Sequence, residues 1–123
     1  MNIRKIFITV IILLGFAIPV FPETYYVDFT NSETTSADSN AGTSTATALI
    51  HCPGDNNYSP SGPAPTSLSA GDTVIFKGGI IYDGSVDVDW NGSDGSPITY
   101  DGNSAETWGT GKAIMDTDND GTQ

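Results

Sequence analysis

The chain has 123 residues and a formal net charge of −11, with 15 acidic residues against four lysines and arginines, and it carries a single cysteine. That length suffices for one small domain, and the acidity excludes a nucleic-acid partner, whose phosphates need clustered Lys and Arg. One cysteine excludes an internal disulfide, so stability must come from packing or from a bound metal.

Arg4 and Lys5 precede an apolar run from Ile6 to Leu14, which leads into Gly15-Phe16-Ala17. A charged start, an apolar middle and a small-x-small step make a secretory signal peptide over residues 1–22, cleaved between 17 and 22. The competing reading is a membrane anchor, but Pro19 and Pro22 interrupt the run before the ~20 apolar residues a spanning helix requires. Cys52 lies too far from the apolar run to carry a lipid anchor. The expectation is a secreted or periplasmic protein with no membrane attachment after cleavage. Arg4 and Lys5 then leave, and Lys77 and Lys112 alone face the 15 acidic residues, a net charge of −13. Such acidity reads first as a solvated surface and second as a source of oxygen ligands for calcium.

The mature part, residues 23–123, reads as all-β. Short β-branched or aromatic stretches bounded by Gly, Asp, Asn or Pro predict strands at Thr24–Val27, Thr73–Phe76, Val86–Trp90 and Ile98–Tyr100, with a weaker fifth at Ala113–Met115. No mature segment has a helical apolar period. Residues 31–48 and the Pro-rich stretch 51–69 read as loop insertions. In the stretch from Val86 to Trp90, Val86, Val88 and Trp90 alternate with Ser85, Asp87 and Asp89, which predicts one apolar and one acidic strand face. Gly78-Gly79 and Asp101-Gly102 stand where the chain must turn, positions that favour a positive φ.

The pattern of glycine, two small or polar residues, then aliphatic-x-aromatic occurs at Gly71–Phe76 and again at Gly95–Tyr100. The offset is 24 residues, and a second pair, Val88 and Ile114, is offset by 26. Periods of this order suggest a solenoid whose strands stack from turn to turn. On spacing alone a fragment of a β-sandwich remains the alternative.

In order along the chain, Thr24-Tyr25-Tyr26-Val27-Asp28, Asn40-Ala41-Gly42-Thr43-Ser44, Ala70 to Tyr82 with its "GDTVIFKGGIIY" rung, Gly95 to Gly102 with "GSPITYDG", and Lys112 to Asp116 cover nearly all of the mature part. This arrangement resembles the N-terminal turns of right-handed parallel β-helix proteins of the pectate-lyase-like superfamily. One departure is the long Pro-rich insertion from His51 to Ser69, where members of that superfamily often place a short capping helix. The resemblance implies an all-β fold, the start of a right-handed parallel β-helix, in a superfamily rich in polysaccharide lyases and glycoside hydrolases acting on polyuronides such as pectate. It implies extracellular polysaccharide as the partner. The alternative on the same scaffold is a non-catalytic adhesin or carbohydrate-binding surface protein. Two or three turns are few for a solenoid core, so further turns beyond Gln123 are expected, with any catalytic centre on them.

Residues with chemistry are few. Uronide cleavage by β-elimination needs a base and a cation to neutralise the carboxylate. The resemblance implies Arg or Lys as that base, and only Lys77 and Lys112 are present, both of which read as solvated. Asp87 and Asp89, on one strand face roughly 6.6 Å apart by strand rise, fall near the separation of an inverting hydrolase pair, but the better reading is a solvated acidic strand face. Asp116, Asp118 and Asp120, in Asp116-Thr117-Asp118-Asn119-Asp120-Gly121, match the opening half of a calcium loop, with an acidic turn as the plainer alternative. Among the aromatics, Tyr25, Tyr26, Tyr82, Trp90 and Tyr100 read as core. Trp108, in a Gly-rich loop, is the candidate for an exposed ring that stacks on sugar. His51, beside Cys52, reads as structural, and Asn57-Tyr58-Ser59 and Asn91-Gly92-Ser93 fit glycosylation sequons.

Overall fold

The structure is a computed structural model that describes residues 21–30, 37–83 and 85–116. The signal peptide expected over residues 1–22 therefore falls almost wholly outside the described residues, as do Asp118 and Asp120. Among the described residues five strands form: β1 (Thr24–Val27), β2 (Thr73–Phe76), β3 (Ile81–Asp83), β4 (Thr99–Asp101) and β5 (Ile114–Asp116), with one 3₁₀ turn at Thr45–Thr47 between β1 and β2. No helix among the described residues is long and apolar enough to cross a membrane.

Every pairing among these strands is parallel. One sheet has the order β1-β2-β4, with Tyr25 opposite Val74 and Val74 opposite Tyr100; the other pairs β3 with β5, placing Tyr82 opposite Met115. An isolated parallel bridge joins Gly78 to Gly109 between the two sheets. The chain thus makes the same passage twice, β2 to Gly78 to β3 and then β4 to Gly109 to β5. Ile75 lies opposite Asp101, so the two stretches sharing the glycine-to-aromatic pattern are parallel neighbours, as the repeat predicts. Their alignment is not at 24 residues, however. Thr73 meets Thr99, Gly78 meets Gly109 and Ile81 meets Ile114, so the interval grows from 26 to 31 to 33 residues as the connecting loops lengthen.

The outer edge of β1 is covered by the loop that follows it. Tyr26 N donates to Gly42 O at 2.7 Å, Leu49 N to Tyr26 O at 2.9 Å and Asp28 N to Leu49 O at 2.9 Å. These bonds satisfy an edge that would otherwise recruit another strand. Among the described residues, β4 and β5 have no strand on their far sides.

Period-2 alternation puts Val74 and Phe76 of β2 inside while Thr73 and Ile75 are half-buried. With Val27, Leu49, Cys52, Ala64, Leu68 and Tyr82 they form one core. Each large side chain in it contributes about 1.5–3 kcal/mol by leaving water. Ala64 and Leu68 come from the Pro-rich stretch 51–69, and Tyr58 Oη donates to Pro65 O at 2.7 Å within it. That insertion is therefore packed into the domain.

Two turns show why their residues are needed. A Cβ on Gly78 would overlap the Gly111 carbonyl and the Asn103 amide, so only glycine fits where the two passages touch. After β4, the positive φ falls on Asn103 (63°), not on Gly102. Asn103 is buried, its Nδ2 donates to Trp108 O at 2.8 Å and to Gly111 O at 2.6 Å, and its Oδ1 accepts from Trp108 N at 3.2 Å. One side chain thereby closes the 103–111 loop.

Three strand expectations need correction. Residues 86–90 are not a strand: Val86 makes only an antiparallel bridge to Asp55, Asp87 N donates to Gly54 O, and Val88 is 66% exposed. The 51–69 insertion reaches this stretch and takes the hydrogen bonds a strand partner would have taken. Of the apolar positions in this stretch, Val86 and Trp90 still pack against the core, while Val88 does not. The strand at Ile81–Asp83 has no clear mark in the sequence, because it is short and follows two glycines. The last two strands each begin one residue later than expected.

Candidate functional site

A hollow of about 20 Å³ lies between the two sheets and the 51–55 segment, lined by Phe29, His51, Cys52, Asp55, Phe76, Tyr82, Asp83, Val86 and Met115. Strands supply Phe76, Tyr82, Asp83 and Met115, while Phe29 follows β1 and the rest come from the loops. The aromatic wall is ordered by ring contacts. Tyr82 meets Phe76 at 4.9 Å and 78°, and Phe29 packs on Tyr82 at 6.0 Å and on His51 at 5.8 Å.

His51 is held in place from outside the hollow. Asp38 Oδ2 lies 2.8 Å from its Nδ1, and Asp38 Oδ1 accepts from the His51 backbone N at 3.0 Å. The same carboxylate accepts from Ser59 N at 3.2 Å, which ties the insertion to this point. In the neutral ring, a carboxylate at Nδ1 places the proton there and leaves Nε2 as an acceptor. This is the orienting half of an acid–base pair. The nucleophilic half is missing: burial, and secondarily Asp55, pushes the Cys52 thiol far above its ordinary range, so it remains a thiol and donates to Pro53 O at 3.2 Å. Burial likewise raises the Tyr82 phenol, whose hydroxyl donates to Val27 O at 2.7 Å.

Behind the hollow lies an ion pair that the sequence does not announce. Lys77, expected to be solvated, is 8% exposed and donates from Nζ to Asp28 Oδ2 at 2.8 Å; Asp28 is 0% exposed. Thr30 adds bonds to Asp28 Oδ1 from its backbone N (3.2 Å) and Oγ1 (2.7 Å). Burial alone would raise the Asp28 carboxyl, but the bonds from Lys77 and Thr30 and the lysine charge outweigh it and hold the carboxyl below its ordinary value. Lys77 also lies 5.8 Å from the centre of the Trp108 ring. The one cue in the sequence is the position of Lys77 at the end of an alternating strand.

The Trp108 ring, expected to stand open to sugar, is 9% exposed and packs edge-on against Tyr26 at 5.4 Å. Its loop is turned inward by Asn103. Lys112 does stay in solvent, 61% exposed by side chain, with Glu106 at 3.5 Å and Ser104 O at 3.2 Å. Asp87 and Asp89 are both exposed and, lying off any strand, do not form the aligned pair expected of them. Of the calcium-loop residues, Asp116 ends β5 while Asp118 and Asp120 lie outside the described residues. Among the described residues no group of three or more His, Cys, Asp or Glu side chains could hold a metal ion.

Comparison with protein-family models, with curated proteins and with solved structures finds no match to this chain.

Proposed function

We propose that these residues are the first turns of a right-handed parallel β-helix of pectate-lyase-like type, in an exported protein that binds extracellular polysaccharide. The observation that carries the reading is the repeated passage: β2, Gly78 and β3 are matched in order, and in parallel, by β4, Gly109 and β5. Sheet-to-sheet passages that stack on themselves are the repeating unit of a β-solenoid. The covered outer edge of β1 suits a first turn.

Binding takes precedence over cleavage for these turns. Lys77, the better placed of the two lysines, is already committed to Asp28, and Lys112 donates to a backbone carbonyl in an exposed loop. Neither is free to act as the base of an elimination with a cation beside it. The test is co-sedimentation of the exported protein with insoluble or gelled pectate, alginate, xylan and chitosan, followed by ultraviolet absorbance for unsaturated uronide. The expected result is retention on at least one polymer with no product. Passage through all of them would refute the reading, and a rising absorbance would restore the lyase.

A further inference from the structure

We propose that the hollow beside His51 takes a protonated primary amine, and, resting on the carbohydrate reading above, that its ligand is an amino sugar displayed by a polysaccharide. This replaces the acidic sugar of a pectate-type ligand by a basic one. Three independent features of the molecule lead to it.

The first is size. A volume of about 20 Å³ admits a single water-sized group, which needs about 10–15 Å³. A pyranose ring cannot enter, but an ammonium head can, with its ring left at the mouth.

The second is the chemistry of the walls. Phe29, Phe76 and Tyr82 present aromatic rings to the space, and Asp55 and Asp83 stand among them. Aromatic rings attract a cation within about 6 Å of their centres, and carboxylates at short range favour one further. In its neutral form His51 adds an acceptor to the set, since Asp38 lies against Nδ1. Acceptors and aromatic rings without a cationic donor among the lining residues describe a site for N–H⁺ groups. A carboxylate would find repulsion there.

The third is the charge of the whole molecule. Of the cations in the described part, Lys77 is buried against Asp28 and Lys112 sits beside Glu106 in the 103–111 loop and its flank. A polyuronide approaching the hollow meets net negative charge, whereas a polyamine is drawn in.

The experiment is a heteronuclear NMR titration of the exported protein, in calcium-free buffer, with the glucosamine tetramer, its N-acetylated counterpart, tetragalacturonate and tetralysine. The expected result is binding of the glucosamine tetramer roughly tenfold or more tighter than that of the acetylated tetramer, with the largest shifts on the rings of His51 and Phe29. Asp55→Asn and Asp83→Asn should each weaken that binding about tenfold while leaving the melting temperature within a few degrees of the parent. Should Asp83→Asn fail to fold, Asp55→Asn decides together with the shift map, since its amide oxygen would still accept from the Asn57 backbone N, as the Asp55 carboxylate does now.

Equal binding of the two glucosamine tetramers would overturn the amine and leave the carbohydrate reading standing. Tight binding of tetragalacturonate would overturn it as well. Binding of tetralysine alone would move the amine from a sugar to a protein and overturn the amino-sugar assignment. Failure of every sugar would bring down the carbohydrate reading itself.

Discussion

Replacing Lys77 by methionine keeps most of the side-chain stem against Trp108 but leaves the Asp28 carboxylate, 0% exposed, without its cation. Removing one partner of a buried pair costs about 3–5 kcal/mol, because the remaining charge stays buried and uncompensated. Thr30 still donates two hydrogen bonds to the carboxylate, which places the expected loss at the lower end, about 3 kcal/mol. For a domain of this size that corresponds to a fall of roughly 12–24 °C in melting temperature. The pH dependence carries a sign. In the parent, Asp28 is depressed below its unfolded value, so the pair contributes stability that is present above that unfolded value and is lost as pH falls through the folded one. In Lys77→Met, burial dominates and the carboxyl titrates upward, so the variant regains ground on acidification as Asp28 becomes neutral. The gap between the two proteins should therefore be widest near neutral pH, about 7, and close only as pH falls below the ordinary carboxylate range. Thermal melts followed by circular dichroism at several pH values measure it, and Asp28→Leu combined with Lys77→Met should recover most of the loss. A deficit under about 1 kcal/mol, well below the cost of an orphaned buried charge, or one of equal size at every pH, would refute the argument.

Two other expectations concern hydroxyl and thiol groups. Tyr82→Phe removes a buried bond to Val27 O and should cost about 1 kcal/mol. Tyr100, whose buried hydroxyl has no hydrogen-bond partner among the described residues, should be neutral or slightly stabilising as Phe, since no bond is lost and a desolvated polar group is removed; denaturant titration of both variants distinguishes them, and equal losses would contradict the assignment. Cys52, 3% exposed and held as a thiol, should resist a disulfide-exchange reagent in the native state and react at once in denaturant, so that prompt labelling of the native protein would show the core around it to be open.

What can be read in the sequence is whatever depends on neighbours along the chain. Thr24–Val27 and Thr73–Phe76 carry enough β-branched and aromatic residues between turn signals to mark themselves as strands, and the shared pattern at Gly71 and Gly95 is enough to make the strands that follow them parallel neighbours of one sheet. The failures occur where a distant segment decides. Val86 to Trp90 has the alternation of a strand, but the 51–69 insertion binds its backbone from the side. Lys77 looks like any surface lysine until β1 is laid beside β2, which brings a carboxylate 49 residues away to 2.8 Å. The glycines around Trp108 suggest an open loop, whereas its burial is set by Asn103, which holds its backbone N–H and C=O. The hollow draws on residues from 29 to 115, and no local pattern announces such a set.

The covered flank of β1 also governs how many molecules can join through their strands. An endless fibre requires two exposed edges per molecule, one to receive and one to offer, and here Gly42 and Leu49 already occupy one of them. In the β1-β2-β4 sheet only the far side of β4 is left among the described strands, so a strand can be added to this sheet from that side alone. The loop between residues 42 and 49 thus acts as a chain terminator on one side of that sheet: it denies an incoming strand the β1 edge on which a cross-β stack could grow.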